Sequence, residues 1–550
     1  ATGGTPVSSG GSYRPSAACD EASLSFHPRI PRYGKVEHDR ERLGLTGSIQ
    51  FEPTDRTKIS IDGLYSSFKE KRAEQWLEVL ARSNERRFNV VDPVYDDNGN
   101  MVSATFNNAY VRTESYLRKS ETEFYQIGAT WDQDVSDSFR FTLLGGMSQS
   151  NADIPVETTI AYDNKTANGF SYDYSDMKSP VLSYGLDVTD PANFQLAEIR
   201  DRPSYVKNRF KTAQLRTEWD ITEGATFKVG AVWRRYNFRT QLFQRDTAAC
   251  GANGTKDLIL GQVTCSSTVY GLPVTSGISQ IVNLGDAGQS SGTTDQWLVA
   301  DIAKAAAYTN LYDRTAKEDL GNNRRVQETT SGGYFQFDFK GDLFGLEYAG
   351  NAGVRYAHTA QKSTGYTAGL AGTVSRTYDD WLPAMNLAFY PAHDVIVRGA
   401  IAKVITRPSL GNLNPGGSVD GFNYRVTFGN PFLDPYRATN FDASVEWYFA
   451  PGALFSVAGF IKKIESFPVA GTYVATLPQL GLGRDVLGQS TPAYINYDPN
   501  QEYIVSSQVN GTGATLKGVE VALQLPFTFL PGILSHTGFQ GNATFIKSDA

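Results

Sequence analysis

The chain has 550 residues, a formal net charge of -7 at pH 7, and aromatic side chains at 12% of its positions. Aromatic residues spread along the whole length exclude a disordered chain, and the acidic balance excludes a nucleic-acid partner, which would require clustered Lys and Arg to neutralise phosphates. The absence of any run of 18 apolar residues excludes a helical membrane protein but leaves a membrane β-barrel open, because barrel strands alternate apolar and polar residues.

Apolar and polar residues alternate with a period of two along most of the chain. In residues 441–449 the odd positions are Phe, Ala, Val, Trp and Phe, whereas the even positions are Asp, Ser, Glu and Tyr. Such alternation is typical of strands with one apolar face and one wet face. The pattern predicts about fourteen strands, near residues 40–52, 56–69, 115–132, 137–150, 205–220, 225–242, 325–340, 344–359, 378–390, 394–406, 437–449, 453–467, 514–526 and 535–547.

Short and long connections alternate between these predicted strands. Turn-like segments such as 52–56, 132–137 and 450–452 join the two strands of each pair, and links of roughly 18 to 82 residues join one pair to the next. This alternation is typical of outer-membrane barrels, which have short periplasmic turns and long extracellular loops. We therefore predict an all-β fold, an antiparallel transmembrane β-barrel.

A secreted, soluble all-β binding module is the alternative fold. It would bury the alternating apolar face inside a sandwich, as soluble β-proteins do. Outward Phe, Val and Leu on fourteen successive strands argue against it, because so large an apolar surface would aggregate in water.

Two of the long loops have helix-like patterns. Residues 70–84 place Trp76 in an apolar stripe, and residues 294–308 are rich in Ala after a capping residue at Thr294 or Asp295. Both patterns predict helices at the extracellular mouth.

The three cysteines leave their pairing open. Cys250 and Cys265 lie in one Gly-, Ser- and Thr-rich loop and could form a disulfide that restrains it, or could remain two free thiols. Cys19 has no partner within this chain if the other two are joined.

The sequence contains no recognisable set of catalytic residues. The chain has no phosphate-binding loop and no HExxH motif, and its five histidines stand far apart. The string GQSSG at 288–292 fits a nucleophile elbow but lacks the preceding strand and following helix that this motif needs. We predict that the protein is not an enzyme and that it has no metal and no cofactor.

Aromatic residues in the long loops are the candidates for contact with a substrate. Aromatic faces stack on sugar rings and other flat apolar surfaces, although each could equally pack one loop against another. The candidates are Trp76, Trp297, Tyr308, Trp381, Phe422 and Tyr424.

Three segments carry a family resemblance. They are YDDWLPAMN at 378–386, ITRPSL at 405–410 and GNPFLDPYRATNFDASVEWYF at 429–449, with LKGVE at 516–520 as a weaker match. In them the chain resembles the TonB-dependent outer-membrane receptors, in particular the large proteobacterial group linked to carbohydrate uptake. Weaker similarity continues back to about residue 29.

The resemblance implies a 22-stranded barrel closed by an N-terminal plug domain. No plug and no TonB box precede residue 29, and the chain ends without the terminal aromatic strand that barrels usually have. We therefore expect residues 1–550 to be an incomplete barrel domain from the middle of a longer protein, with the plug and the C-terminal strands absent.

The resemblance also implies a function. We expect a receptor of the bacterial outer membrane that binds a scarce nutrient and imports it with energy from the inner-membrane TonB complex, reached through a plug that is not in this chain. An oligosaccharide is the favoured substrate and a siderophore is the competing one. The expected partners are outer-membrane lipid, the TonB complex and the substrate. The alternative is a passive, plugless, porin-like channel.

Overall fold

The computed structural model describes residues 22, 25–81, 87–248, 250, 265–266, 268–367, 369–421, 423–487 and 492–549. Fourteen long strands dominate it, and we number them β1 to β14. They are β1 Arg32–Thr54, β2 Thr57–Val79, β3 Ala109–Asp134, β4 Phe139–Ala167, β5 Ser204–Thr222, β6 Ala225–Gln244, β7 Arg324–Leu343, β8 Leu346–Thr367, β9 Leu370–Ala392, β10 Val395–Thr406, β11 Tyr436–Ala450, β12 Ala453–Ser466, β13 Ala514–Pro526 and β14 Gly538–Ser548.

The fourteen predicted strands are confirmed, and each pairs antiparallel with the next one along the chain. The short turns are also confirmed. The link from β7 to β8 is the two-residue turn Phe344–Gly345, in which both residues have positive φ, 56° and 79°. Two positive φ values give the turn a twist that matches the right-handed twist of the flanking strands.

One face of this sheet is an apolar belt. The apolar side chains of the alternating pattern are exposed on this face. The exposed fractions are 44% for Ile61 on β2, 54% for Phe335 on β7 and 47% for Val445 on β11. We call this the outer face. The opposite, polar face is the interior face. Side chains of alternating chemistry on a strand necessarily point to opposite faces, so the belt is continuous from strand to strand.

Shorter elements lie in the connections. The shorter strands are Asn89–Tyr95, Met101–Asn107, Phe170–Asp173, Val181–Ser183, Gln195–Asp201, Thr247–Ala248, Leu272–Pro273, Ser279–Asn283, Gln296–Ala300, Lys317–Glu318, Gly417–Asp420, Arg425–Phe428, Pro468–Thr476 and Glu502–Asn510. Eight of them extend the main sheet to 22 strands in all. These are not the 22 wall strands expected of a complete barrel, which stay a prediction.

The described helices are short. The α-helices are Ile302–Tyr308 and Pro492–Ile495, and the 3-10 helices are Pro191–Asn193, Leu320–Asn322, Leu410–Leu413, Pro478–Leu480, Arg484–Val486 and Gly532–His536. Among the residues that the structure describes, no helix has the length and apolar character needed to cross a membrane.

The predicted helix over residues 70–84 is wrong where the structure describes it, because β2 continues to Val79. Residues 82–84 lie outside the described residues. Residues 70–79 have good helix formers, but β1 and β3 flank them on both sides and offer a complete set of backbone hydrogen-bond partners. Tertiary pairing therefore overrides local helix propensity.

The second predicted helix is confirmed only in its last half. Residues 296–300 form a strand, and the helix begins after Asp301, whose side chain accepts a hydrogen bond from the Lys304 backbone N–H. The predicted caps at Thr294 and Asp295 are therefore wrong. The predicted long link between β8 and β9 is wrong as well, since both strands extend and only residues 368–369 separate them.

The long loops form their own hydrophobic core against the ends of β2, β3 and β4. Leu77 on β2, Tyr162 on β4 and Trp297 are fully buried together. The Ser115 hydroxyl on β3 donates to the Ala300 carbonyl at 2.7 Å. Leu77 and Ile61 are both odd-numbered residues of β2, so their side chains lie on the same face of the sheet. This core therefore lies on the outer face, beyond the end of the apolar belt.

The connection from β10 to β11 folds onto the interior face of β7, β8 and β9. The Gln361 amide on β8 donates to the Pro431 carbonyl at 2.9 Å, and Leu413 and Leu433 pack with Val326 on β7. Arg407 lies 3.1 Å from the nearly fully buried Glu328 carboxylate. The Arg437 guanidinium also donates to Asp380 on β9 at 2.7 Å. The three main segments that carried the family resemblance therefore lie close together here.

We predict that Arg407→Leu loosens this folded-back connection. Removing one partner of a buried ion pair leaves a buried charge uncompensated and costs about 3–5 kcal/mol. Hydrogen exchange of residues 407–435 in the protein in detergent should accelerate, and the double variant Arg407→Leu/Glu328→Leu should recover most of the protection. Lys403→Leu is the control, since it breaks the exposed Lys403–Glu465 pair. Equal effects of Arg407→Leu and Lys403→Leu would contradict the prediction.

Candidate functional site

The interior face of the wall carries a ladder of ion pairs. Arg140 on β4 contacts Glu218 and Asp220 on β5 at 2.6 and 2.9 Å. Lys228 on β6 contacts Asp338 on β7 at 2.9 Å. Polar residues of the interior face therefore bond to their neighbours across the strands, which holds this part of the sheet in one arrangement.

Toward the long loops, the same face becomes rich in arginine and carboxylate. Glu70 on β2 accepts a hydrogen bond from Arg40 Nε at 2.7 Å, and its other oxygen lies 3.8 Å from an Arg118 nitrogen. His38 Nδ1 lies 3.2 Å from Glu70. Three neighbouring strands thus place their charged side chains at one level of the interior face. The reason is that all four residues have even numbers and the strands pair here without a register shift.

Trp76 lies in the middle of this group. Its ring packs closely against Gly34 on β1, where a Cβ atom would lie only 2.1 Å from the ring. The Arg32 guanidinium lies 4.5 Å from the ring centroid, and the indole N–H donates to Glu74 at 2.8 Å. The strands therefore hold this tryptophan in place, with a cation over its face.

Two further arginines complete the group. Arg112 on β3 donates to Asp163 on β4 at 2.7 Å and lies 3.3 Å from Glu198. Arg200 contacts Glu114 on β3 at 2.7 Å. Asp163 is fully buried, so its pairing with Arg112 compensates a charge that would otherwise be costly to desolvate.

We call these residues the mouth cluster. It contains six arginines and seven carboxylates: Arg32, Arg40, Arg72, Arg112, Arg118, Arg200, Glu70, Glu74, Glu78, Glu114, Glu157, Asp163 and Glu198. Interleaved donors and acceptors of both signs line one polar surface, which can hydrogen-bond a polyhydroxylated molecule on several sides at once.

Glu78 is the most perturbed carboxyl of the cluster. Burial raises its pKa from the ordinary value of 4.5 to about 7, and the neighbouring Glu114 charge adds to the effect. Burial also raises the pKa of Glu114. The arginines around them lower both pKa values but do not offset the loss of water.

The fold does not bring together the five aromatic candidates that the structure describes. Among these five, only Trp76 lies within the mouth cluster. Trp297 is fully buried in the loop core, and Tyr308 ends an α-helix with 42% of its surface exposed. Trp381 is 62% exposed and shares the outer face with Met385 on β9, so it faces away from the interior.

One candidate lies in the folded-back connection. Tyr424 has a positive φ of 50° and packs its ring 5.6 Å from that of Tyr503, with partial burial. Phe422 lies outside the described residues, as does Cys19. None of the six has been tested as a ligand contact, so that role stays a prediction.

The disulfide is formed, since the structure joins Cys250 to Cys265. Within the described ranges, no group of three or more His, Cys, Asp or Glu side chains is arranged to hold a metal ion.

The mouth arginines are the residues that sequence reasoning missed. The signal was present, because Glu70, Arg72, Glu74, Trp76 and Glu78 alternate with the same period of two as the confirmed strands. The helix predicted for residues 70–84 is incompatible with this alternation, so the extension of the interior face along β2 was not predicted.

Comparison with known proteins gives a family and no curated relative. A family model described as TonB dependent receptor-like, beta-barrel, matches residues 155–550. No curated protein matches the chain.

Solved structures of outer-membrane receptors are similar to the chain at low identity. The alcaligin receptor FauA from Bordetella pertussis is 8% identical with a TM-score of 0.38, and 96% of this chain covers 62% of it. The siderophore receptor PiuA from Acinetobacter baumannii is 9% identical at 0.40, with 95% and 64% covered. The ferric-catecholate receptor Fiu from E. coli K12 is 10% identical at 0.40, with 94% and 64% covered. The chain thus spans about three fifths of the length of these receptors.

We predict that the raised pKa of Glu78 makes the mouth less stable as pH rises. Between about pH 4.5 and 7 the folded carboxyl keeps its proton while the unfolded one loses it, so stability falls across this window. Glu78→Gln stays neutral and should be more stable than wild type at pH 8, by up to about 3 kcal/mol, and equal to it near pH 4.

The measurement is the thermal unfolding midpoint of the full-length receptor in detergent at both pH values. Glu41→Gln, an exposed position on β1, is the matched control and should leave the pH dependence unchanged. A Glu78→Gln variant with the wild-type pH dependence would show that Glu78 does not carry it.

Proposed function

Because this chain belongs to the TonB-dependent receptor family, we propose that it forms the barrel wall of a receptor for an oligosaccharide. The family consists of outer-membrane transporters rather than enzymes. The receptor binds this nutrient at its extracellular mouth and imports it with energy from the inner-membrane TonB complex, reached through a plug domain. The single observation that carries the proposal is the mouth cluster, in which guanidinium and carboxylate groups of near-equal number surround Trp76 on the interior face.

The charge balance of this cluster favours a neutral polyhydroxylated ligand. Carboxylates accept hydrogen bonds from hydroxyl groups, and planar guanidinium groups donate to hydroxyl oxygens in a fixed geometry. A ferric siderophore with net negative charge would be better matched by a surface with excess positive charge. Here the arginines are paired with carboxylates at short distance, for example Arg200 with Glu114 at 2.7 Å.

Trp76 adds an apolar surface to this polar site. Gly34 lies directly against its ring, and the guanidinium of Arg32, whose side chain is 51% exposed, lies over the ring. An exposed arginine side chain can move aside at little cost, after which a sugar ring can stack on the uncovered indole face. Binding of substrate would therefore exchange a cation–π contact for stacking.

The first experiment measures binding to the full-length receptor in detergent. Calorimetric titration with a panel of neutral oligosaccharides and a panel of ferric siderophores should show binding within the first panel. Arg72→Gln and Trp76→Ala should each weaken that binding about tenfold or more, which corresponds to about 1.4 kcal/mol. The matched control is Arg216→Gln, an exposed interior-face arginine on β5, which should leave the affinity unchanged. Binding of siderophores only would reverse the substrate assignment.

The second experiment separates energised import from a passive channel. Uptake of the bound substrate by cells should stop when the tonB function is deleted or the proton-motive force is dissipated, while binding to the cell surface persists. A plugless channel predicts uptake that continues under both treatments. Continued uptake would contradict the energised mechanism without affecting the substrate assignment.

A further inference from the structure

The outer face of β5 to β8 carries a group of basic side chains beyond the apolar belt. We call them the basic band, and they are Lys207, Arg209, Lys211, Arg235, Arg239, Arg325 and Lys362. The strand register brings them into three adjacent rows: Lys211 opposes Arg235, and Lys207 opposes Arg239, which in turn opposes Arg325. Lys362 opposes Gln327 in the row between them.

The band shares its face with the lipid-facing residues. On β5 the exposed Leu215 and Trp219 are an even number of residues from Lys211. On β7 the exposed Phe335 is likewise an even number of residues from Arg325. The pairing of β5 with β6 and of β6 with β7 is unbroken between these levels. Successive side chains point to opposite faces, so the basic residues stand on the same surface as the belt.

An aromatic row separates the belt from the band. Trp233 on β6 lies one step below Arg235, whose guanidinium is 5.3 Å from the indole ring. On β8 and β9, Tyr356 packs 4.8 Å from Trp381, which is 62% exposed. Tryptophan and tyrosine favour the headgroup level of a bilayer. The first basic row therefore lies at the headgroup level, and the others lie directly above it.

The basic band has no carboxylate partners in the part of the chain that the structure describes. None of its seven members forms an ion pair, whereas Lys69 on the outer face of β2 pairs with Glu121 on β3. Arg209 and Arg235 donate only to neutral side chains, Gln149 at 2.7 Å and Thr329 at 3.2 Å.

Three acidic groups lie nearby, and none of them forms an ion pair with the band. The exposed Asp153 on β4 opposes Tyr205 on β5, one row beyond Lys207. Asp379 stands in the row below it and bonds to Tyr356 and His358 at 2.5 and 2.8 Å. Glu318 lines the adjoining hollow and accepts a hydrogen bond from Asn323 at 2.8 Å. Like charges directly opposite each other, as at Arg239 and Arg325, destabilise a sheet unless an anion lies between them.

The hollow offers a place for that anion. It has a volume of about 540 Å³, and Arg239, Arg325 and Lys362 line it together with Gln327, Glu318 and three threonines. The three cations are exposed. Guanidinium groups bind phosphate oxygens in a bidentate fashion, and an ammonium group adds a point charge.

We propose that the basic band is a binding site for an anionic lipid of the outer leaflet, which it holds by its headgroup phosphates. The acyl chains of such a lipid lie against the belt formed by Leu215, Val229 and Phe335, and its phosphates reach the rows from Lys211 to Arg325. Continuity with the apolar belt favours a lipid over a soluble anion. The site does not depend on which nutrient the receptor imports.

The test uses the full-length receptor in phosphatidylcholine nanodiscs that contain either diphosphorylated lipid A or the same lipid with its phosphates removed. The variant is Arg239→Gln/Arg325→Gln/Lys362→Gln. The matched control is Lys69→Gln/Lys71→Gln/Lys119→Gln, which removes three cations from the same face of β2 and β3, where Glu121 and Glu123 alternate with them. Native mass spectrometry counts the lipids that remain bound after detergent extraction.

We expect wild type and control to retain the phosphorylated lipid, the variant to retain at least about fivefold less, and retention to fall with added salt because exposed charges are screened. The dephosphorylated lipid should be retained weakly by all three proteins. Equal retention by variant and control, or by the two lipids, would falsify the proposal. Full displacement of the lipid by millimolar inorganic phosphate would also overturn it, since the site would then recognise a free anion. Unchanged thermal midpoints show that the variant is folded.

Discussion

The hydrogen bonding of the strand backbone inside a lipid layer is the constraint on which the rest of this structure depends. Hydrocarbon offers no partners for N–H and C=O groups, so every strand must satisfy them sideways, through a neighbour on each side. Continuous registers such as that between β2 and β3 are the consequence. A fixed register in turn decides which residue of each pair faces lipid and which faces the interior.

The same registers also separate the two faces of the strands where they extend beyond the membrane. On β2 the parity that exposes Ile61 to lipid also buries Leu77 in the loop core, whereas the opposite parity directs Glu70 and Trp76 to the interior. The mouth cluster and the loop core therefore lie back to back on one set of strands. The packing of the long loop on one side stabilises the strands that display charged residues on the other.

Charge has different surroundings on the two faces. The interior arginines of the mouth cluster lie beside carboxylates, and buried groups such as Asp163 and Glu328 are paired because an isolated buried charge is costly. On the outer face, Arg239 and Arg325 stand opposite each other without a carboxylate. Exposed cations tolerate such an arrangement, and they leave it open to an anion from outside. The folded-back connection held by Arg407 shows a third case, in which an ion pair ties a loop to the wall.

The sequence by itself determined where the fourteen strands lie and which side chains within each predicted stretch share a face, because period-two alternation is a local property. It did not determine how far β2 extends, since the helix propensity of residues 70–79 was outweighed by neighbours at least 30 residues away in the chain. Nor could it show that Trp297 is buried while Trp381 faces outward. Only tertiary structure decided these points and assembled the mouth cluster, because contacts between distant strands depend on register rather than on local composition.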